Sequence, residues 1–253
     1  ARRQRQMCIR DRWNDDMSID TFKSNWMTEE HEMVYESALK MFQSWEDRDE
    51  QWRENGKIDR EAWNEAGEMG FLCASMPEEY GGGGGNFGHE AAILLAQAQA
   101  NQAGFGGMVH SGIVAPYILK HGTEEQRKAW IPKLATGEYV GAIAMTEPTT
   151  GSDLQAIKTY AVKDGDDYII NGSKTFITNG QHANLIVLAC KTDREKGAQG
   201  VSLIVVETDG LEGFERGRNL KKTGLSAQDT SELFFSNVRV PQKNLLGLSL
   251  IHI

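Results

Sequence analysis

Val140-Gly141-Ala142-Ile143-Ala144-Met145-Thr146-Glu147-Pro148-Thr149-Thr150-Gly151-Ser152-Asp153 is the stretch in which the chain changes character. It opens on a short apolar strand, Val140 to Met145, and ends in a turn dense in hydroxyls and free amides. Such a turn can present polar groups to a ligand. Taken alone it reads equally well as a loop whose Ser152 and Asp153 cap local backbone amides.

Downstream of about Gly137 the hydrophobic period is two. Runs rich in Val, Ile, Phe and Thr follow at Thr159 to Lys163, Tyr168 to Ile170, Lys174 to Ile177, Leu185 to Ala189, Val201 to Val206 and Glu232 to Val238, and predict strands. Asp164-Gly165 and Asn171-Gly172 lie between such runs and tolerate the positive φ of tight hairpin turns. Antiparallel connections, and hence a barrel or sandwich, are expected.

Upstream the pattern is helical. Val34, Ala38, Met41 and Trp45 form one stripe of an amphipathic helix between Thr28 and Trp45. Asp59 is placed to cap a second helix running to Met69. Ala91 to Ala103 reads as an almost wholly buried helix, and Ser111 to Lys120 as another, bent or interrupted at Pro116. Thr123 and Gln126 have capping-box spacing, so a further helix should follow and stop near Pro132. A helical block followed by a block of strands is α+β: an all-helical N-terminal domain, then a middle antiparallel β-barrel or sandwich.

The chain has 253 residues, 40% hydrophobic and 25% charged, enough for one large or two modest domains with real cores. Its longest apolar runs, of which Ala91 to Ala96 is one, fall far short of the ~20 residues a membrane-spanning helix needs. Residues 1–12 are basic, lack the features of a targeting segment and, like residues 248–253, resemble translated adapter sequence. The reading is therefore a non-native leader at 1–12, a helical domain at 13–138, a β-domain at 139–247 and a non-native tail at 248–253. Setting the two ends aside removes five Arg and one Asp, so the formal charge of −9 becomes −13 for residues 13–247. That acidity argues against a nucleic-acid or anionic-membrane surface. Cys8 lies in the leader, and Cys73 and Cys190 have no C-x-x-C or metal-ligand spacing.

Two motifs mislead. Gly83-Gly84-Gly85-Asn86-Phe87-Gly88 matches a dinucleotide fingerprint in form, but it follows Pro77-Glu78-Glu79-Tyr80 rather than an apolar strand and has no βαβ surroundings. A flexible turn between two helices explains it better. His31, His89, His110, His121 and His182 show neither metal spacing nor a nucleophile partner, which leaves hydrolase and metalloenzyme readings without support.

The polar turn at 144–153 has a companion at Phe176-Ile177-Thr178-Asn179-Gly180, a second strand end with an aromatic beside a hydroxyl. With Pro77-Glu78-Glu79-Tyr80-Gly81-Gly82, Ala142 to Pro148, and Lys222-Thr223-Gly224 through Val240-Pro241, these runs resemble the acyl-CoA dehydrogenase family from about Thr28 to Gly247. His110 to Val114 and Gly224 to Phe235 are most similar to its long-chain group.

The resemblance implies a helical domain and a β-domain facing a C-terminal helical bundle, with FAD in the crevice and a homotetramer or homodimer completing the site. It places Ile143, Met145 and Thr146 at the pyrimidine edge of the flavin, and Gly151 and Ser152 near the cofactor and the CoA moiety of the substrate. Phe176, where many relatives carry tryptophan, would contact the isoalloxazine with Ile177 and Thr178. Ala198 and Gln199 match a position that contacts acyl-CoA, although a plain surface turn fits them as well.

The implied reaction is α,β-dehydrogenation of acyl-CoA to trans-2-enoyl-CoA in fatty-acid β-oxidation, with electrons passed to an electron-transferring flavoprotein. The base implied is a glutamate of the C-terminal bundle, beyond where this chain ends, so no residue here is assigned a catalytic role and the chain alone is expected to be inactive. Glu147, at a Pro-bounded turn, is read as holding the loop's geometry. An acyl-CoA oxidase or flavin monooxygenase on the same scaffold, or a non-catalytic flavin- or acyl-CoA-binding module, remain alternatives. The resemblance implies bacterial cytoplasm or, in a eukaryote, the mitochondrial matrix.

Overall fold

The computed structural model describes residues 24–247. The leader at 1–12, the tail at 248–253 and the first residues of the helical domain lie outside the described residues.

The helical part begins with α1 (Glu29–Gln43), whose N-cap Thr28 forms a capping box with His31. The highly charged α2 (Glu46–Asn55) follows, a helix the hydrophobic pattern does not reveal because Trp52 is its one buried residue. Arg48 anchors it instead, reaching Asp59 and Glu65 while its guanidinium lies 4.8 Å over the Trp52 ring. Helix α3 (Arg60–Glu68) starts where expected, with the Asp59 carboxylate accepting from the Ala62 amide at 3.0 Å.

Three expectations need correction here. Helix α4 spans Phe87–Gln99, not 91–103, because Asn86 caps it from within the glycine-rich segment, accepting from Gly88 N–H at 2.7 Å. It is half-buried rather than almost wholly buried, with Leu95 39% exposed. The next segment runs from Gly107–Val109 through a π turn at His110–Val114 into α5 (Ala115–His121), so the interruption precedes Pro116. Helix α6 (Glu124–Ala135) carries the expected capping box but continues through Pro132. Only the carbonyl one turn back, at exposed Lys128, loses its helical partner there, and water can satisfy it.

The β part is one eight-stranded sheet: β1 (Gly141–Ala144), β2 (Tyr160–Asp164), β3 (Asp167–Thr178), β4 (Leu185–Lys191), β5 (Val201–Glu207), β6 (Phe214–Asn219), β7 (Thr230–Pro241) and β8 (Leu245–Leu246). The strand order is β6-β7-β3-β2-β4-β5-β8, with β1 paired to β4 off that path. Most pairs are antiparallel, but β1 and β4 run parallel, as do β2 and β4 where they meet.

The Asp164-Gly165 turn closes the β2–β3 hairpin as expected. Asn171-Gly172 does not form a turn: β3 passes straight through it with a bulge against β7. Gly172 takes φ +149° there, and a Cβ would collide with Thr159, so the glycine serves close strand approach rather than a reversal.

Strands β4 and β5 are buried on both faces, which is why they read as continuous apolar runs. Leu185, Val187, Leu203 and Val205 pack against Val114, Ile118, Ile131 and Leu134 of the helices. Ile186, Leu188, Ile204 and Val206 face the opposite way, into a core shared with Ala142, Ile170, Ile177, Leu233 and Val238. The remaining helices enclose a third, aromatic-rich core around Phe42, Trp45, Trp63 and Phe105.

Candidate cofactor site

Strand β1 is held at both ends by side chains. At its start, the Gly141 N–H donates to His110 Nδ1 at 2.9 Å and the Gly141 carbonyl accepts from Asn179 Nδ2 at 3.0 Å. The same Asn179 amide donates to the Gly106 carbonyl at 3.1 Å, tying the helical segment, β1 and the end of β3 together. His110 is fully buried and burial pushes its pKa down to about 4, so it stays neutral with its other nitrogen 3.0 Å from the Leu134 carbonyl.

At the far end of β1, the Thr175 N–H donates to the Thr146 carbonyl at 2.9 Å. Lys174 Nζ donates to the Met145 carbonyl and to Glu147 Oε1, both at 2.9 Å. Glu147 also accepts from the amides of Lys158 at 2.7 Å and Thr159 at 2.9 Å. Burial alone would raise the pKa of this carboxyl, but the bonds from Thr159, Lys158 and Lys174 outweigh it and hold Glu147 below the ordinary range. Burial lowers that of Lys174, opposed by Glu147. The reading of Glu147 as a holder of loop geometry therefore stands.

These bonds bring the two sequence motifs together. Between Lys174 and Ile177 the register of β3 against β7 slips, and Phe176 adopts φ +58°. Lys174, Thr175 and Ile177 are buried, whereas the bulge turns the Phe176 ring outward, leaving the residue 66% exposed. A bulky residue in the left-handed region costs on the order of 1–2 kcal/mol, and because such strain clusters at functional sites Phe176 is a candidate for one. Thr146 and Thr178 are half-buried on either side, and among the described residues no protein group engages either hydroxyl.

Ile143 and Met145 are half-buried. Met145 lines a cleft of about 250 Å³ together with Tyr117, Leu154, Ile157, Ala198 and Leu203. Ala198 thus shares a cleft wall with a predicted cofactor residue, while Gln199 sits exposed on the same 3-10 turn and is not part of that wall.

Gly151 and Ser152 are exposed on a loop pinned by reciprocal Glu147–Thr150 backbone bonds and by Thr150 Oγ1 donating to the Ala156 carbonyl at 3.1 Å. A Cβ at Gly151 would meet nothing within 4 Å, so packing gives no reason for that glycine. A second, larger cleft of about 430 Å³, walled by Leu94, Gln97, Phe105, Gly106 and Met108, opens where Asn179 grips Gly106.

Sequence reasoning missed Lys174, Thr175, His110 and Asn179 as the parts that assemble the site. The available signal was a lysine in a core-facing stretch of strand, which requires a buried carboxylate partner. An outward aromatic, an apolar flank and unengaged hydroxyls suit a flat heteroaromatic group with one greasy and one polar edge.

Residues 28–138 match the family described as Acyl-CoA dehydrogenase, N-terminal domain, and residues 142–238 match Acyl-CoA dehydrogenase, middle domain. The chain is 47% identical over 221 residues to the long-chain specific acyl-CoA dehydrogenase, mitochondrial, of Sus scrofa, covering 86% of this chain and 51% of that protein. The crystal structure of acyl-CoA dehydrogenase from Geobacillus kaustophilus superimposes with a TM-score of 0.85 at 47% identity, covering 90% of this chain and 60% of that one. The acyl-CoA dehydrogenase complexed with FAD from Bacillus anthracis does so with a TM-score of 0.81 at 32% identity, over 92% and 40% respectively. The chain spans about half the length of the curated relatives it matches. Matched in both of its halves, it belongs to the acyl-CoA dehydrogenase family and carries that family's N-terminal and middle domains.

Proposed function

We propose that the protein to which this chain belongs is an FAD-dependent dehydrogenase that converts acyl-CoA thioesters to trans-2-enoyl-CoA in fatty-acid β-oxidation. The observation that carries this reading is the outward Phe176 ring on its bulge, linked by the Thr175–Thr146 bond to the hydroxyl-bearing end of β1. When bound, FAD supplies the two-electron acceptor for α,β-dehydrogenation.

In this reading Phe176 offers a ring face and Ile143, Met145 and Ile177 an apolar flank. The Thr146 and Thr178 hydroxyls donate hydrogen bonds, stabilising charge that develops on a bound ring. Gly151 and Ser152 let the loop approach cofactor and CoA closely, and Ala198 and Gln199 border the path of the thioester. The larger cleft, apolar and next to Asn179, has the character an acyl chain needs.

Glu147 is not the base, because its oxygens are committed to two amides and an ammonium. That role falls to a carboxylate of the family's C-terminal domain, and the electrons pass on to an electron-transferring flavoprotein. A homodimer or homotetramer, a division into domains at 138/139, and a location in bacterial cytoplasm or mitochondrial matrix belong to the same proposal. No helix among the described residues is long and apolar enough to cross a membrane.

The test is to express the complete reading frame and record flavin absorbance anaerobically while adding a long-chain acyl-CoA. Bleaching of the oxidised band is expected. A bound flavin that never bleaches would sink the dehydrogenase reading, and rapid oxygen consumption would favour the oxidase. Phe176→Ala should weaken FAD binding by about tenfold, the scale of a lost aromatic contact.

A further inference from the structure

The most heavily invested polar feature near the site is an ion pair withdrawn from solvent. The side chains of Lys174 and Glu147 are 0% and 3% exposed. Burying two charges is costly, and a well-packed apolar pair of the same volume is often at least as stable, so stability alone is a weak reason to keep one here. Geometry is a better reason. β1 has its ladder with β4, whereas β3 pairs with β2 and β7. Between the end of β1 and β3 there is a single backbone bond, Thr175 N–H to the Thr146 carbonyl, beside the Lys174 contacts to Met145 and Glu147. Glu147 directly follows Thr146, and Lys174 lies two residues before Phe176. The far side of the carboxylate is fastened to Lys158 and Thr159, at the entrance to β2.

We propose that the Lys174–Glu147 pair is a positioning strut that sets the spacing between the Met145–Thr146 strand end and the Phe176–Thr178 bulge, and so the width of the cofactor seat. The inference rests on the flavin reading for what occupies the seat, but the strut itself does not. An ammonium has three rotatable donors on a long stem, and here two of them are aimed at fixed points on one strand from the other. A carboxylate with three donors converging on it cannot follow if either strand slides.

The test uses the protein expressed from its complete reading frame and the charge-neutral double substitution Lys174→Met with Glu147→Gln, in which the glutamine oxygen still serves one of the two amides, since Lys158 and Thr159 bond different oxygens of the carboxylate. The melting midpoint is expected to stay within about 5 °C of the parent. Amide hydrogen exchange at Thr175 should accelerate at least tenfold relative to Ile186 in the β4–β5 ladder, an effect a loss of global stability would not produce. In an FAD titration the double variant should bind at least tenfold more weakly, with an altered visible band. Unchanged relative exchange at Thr175 overturns the strut. Unchanged FAD affinity and spectrum, with exchange accelerated, overturns its role in shaping the seat. A parent protein, expressed from the complete reading frame, that does not take up FAD, with accelerated exchange in the variant, removes the flavin reading and leaves the strut standing. Should the double variant fail to fold, Lys174→Arg keeps the charge while changing length and shape. Accelerated Thr175 exchange in that variant supports the strut, and parental exchange overturns it.

Discussion

Asp229 is 4% exposed, and one of its carboxylate oxygens has no partner, while the other accepts from the His182 amide at 3.2 Å. Burial pushes its pKa up to about 6 against the pull of the Gln181 and His182 amides and of Lys57 and Lys222. A carboxyl whose folded pKa is raised contributes its stability below the unfolded value and loses it as pH rises through the folded one. At pH 8 the ionised group therefore costs about 1–3 kcal/mol. Asp229→Asn keeps an oxygen for His182 and removes the charge, so its melting midpoint should exceed the parent's at pH 8 and not at pH 4. Equal or lower stability at pH 8 would refute this. At this scale the sequence displayed Phe176 and Thr146 through their motifs. It did not display the positive φ of Phe176 or the partner of Lys174, because both depend on a register slip and on a residue 27 positions away.

The end of β3 is secured by Asn179, whose amide satisfies the Gly106 and Gly141 carbonyls while its backbone sits at φ +64°. Asn179→Ala removes both donors and places a Cβ residue without Asn's tolerance in the left-handed region, and should destabilise by about 2–4 kcal/mol in urea melts. Asn179→Gly keeps the backbone comfortable and isolates the hydrogen-bond share, so it should lose less. Two equally stable variants would show that the backbone contributes nothing. Among the elements, α1, α3 and the β2–β3 hairpin were legible because cap residues and period coincide in them. Helix α2 was not, since ion pairs replace an apolar stripe. Nor was the unbroken β3, since a glycine that permits a turn equally permits a bulge, and only packing against Thr159 and β7 selects between them.

Across the whole molecule, helical and β parts are joined by side chains reaching backbone: His182 to the Ile58 carbonyl at 2.9 Å, Asn219 to that of Gly56 at 2.7 Å, and Asn179 to that of Gly106. The two-part architecture could be read from the change of period, but this seam could not, because its partners lie 73 to 163 residues apart. Burial pushes the pKa of both His110 and His182 down to about 4 from an ordinary 6.5. A base with a depressed folded pKa contributes stability above its unfolded value and loses it as pH falls toward the folded one. Between pH 6.5 and 4 the two histidines should together withdraw on the order of several kcal/mol, while protonation of Asp229 returns part of it below about pH 6. Urea melts at stepped pH should show a net fall across that window; a flat profile would contradict it.

The parallel pairing of β1 with β4 also fixes an order of events during synthesis. β1 is made about 40 residues before its ladder partner, roughly 2–8 seconds at ribosomal speed. His110 and the carbonyl it grips at Leu134 belong to chain already made by then, and the Gly141 amide can bond to that histidine before any other strand exists. The helical part of this chain, finished first, can thus serve as a nursery for the opening strand of the β part while its partners are still emerging.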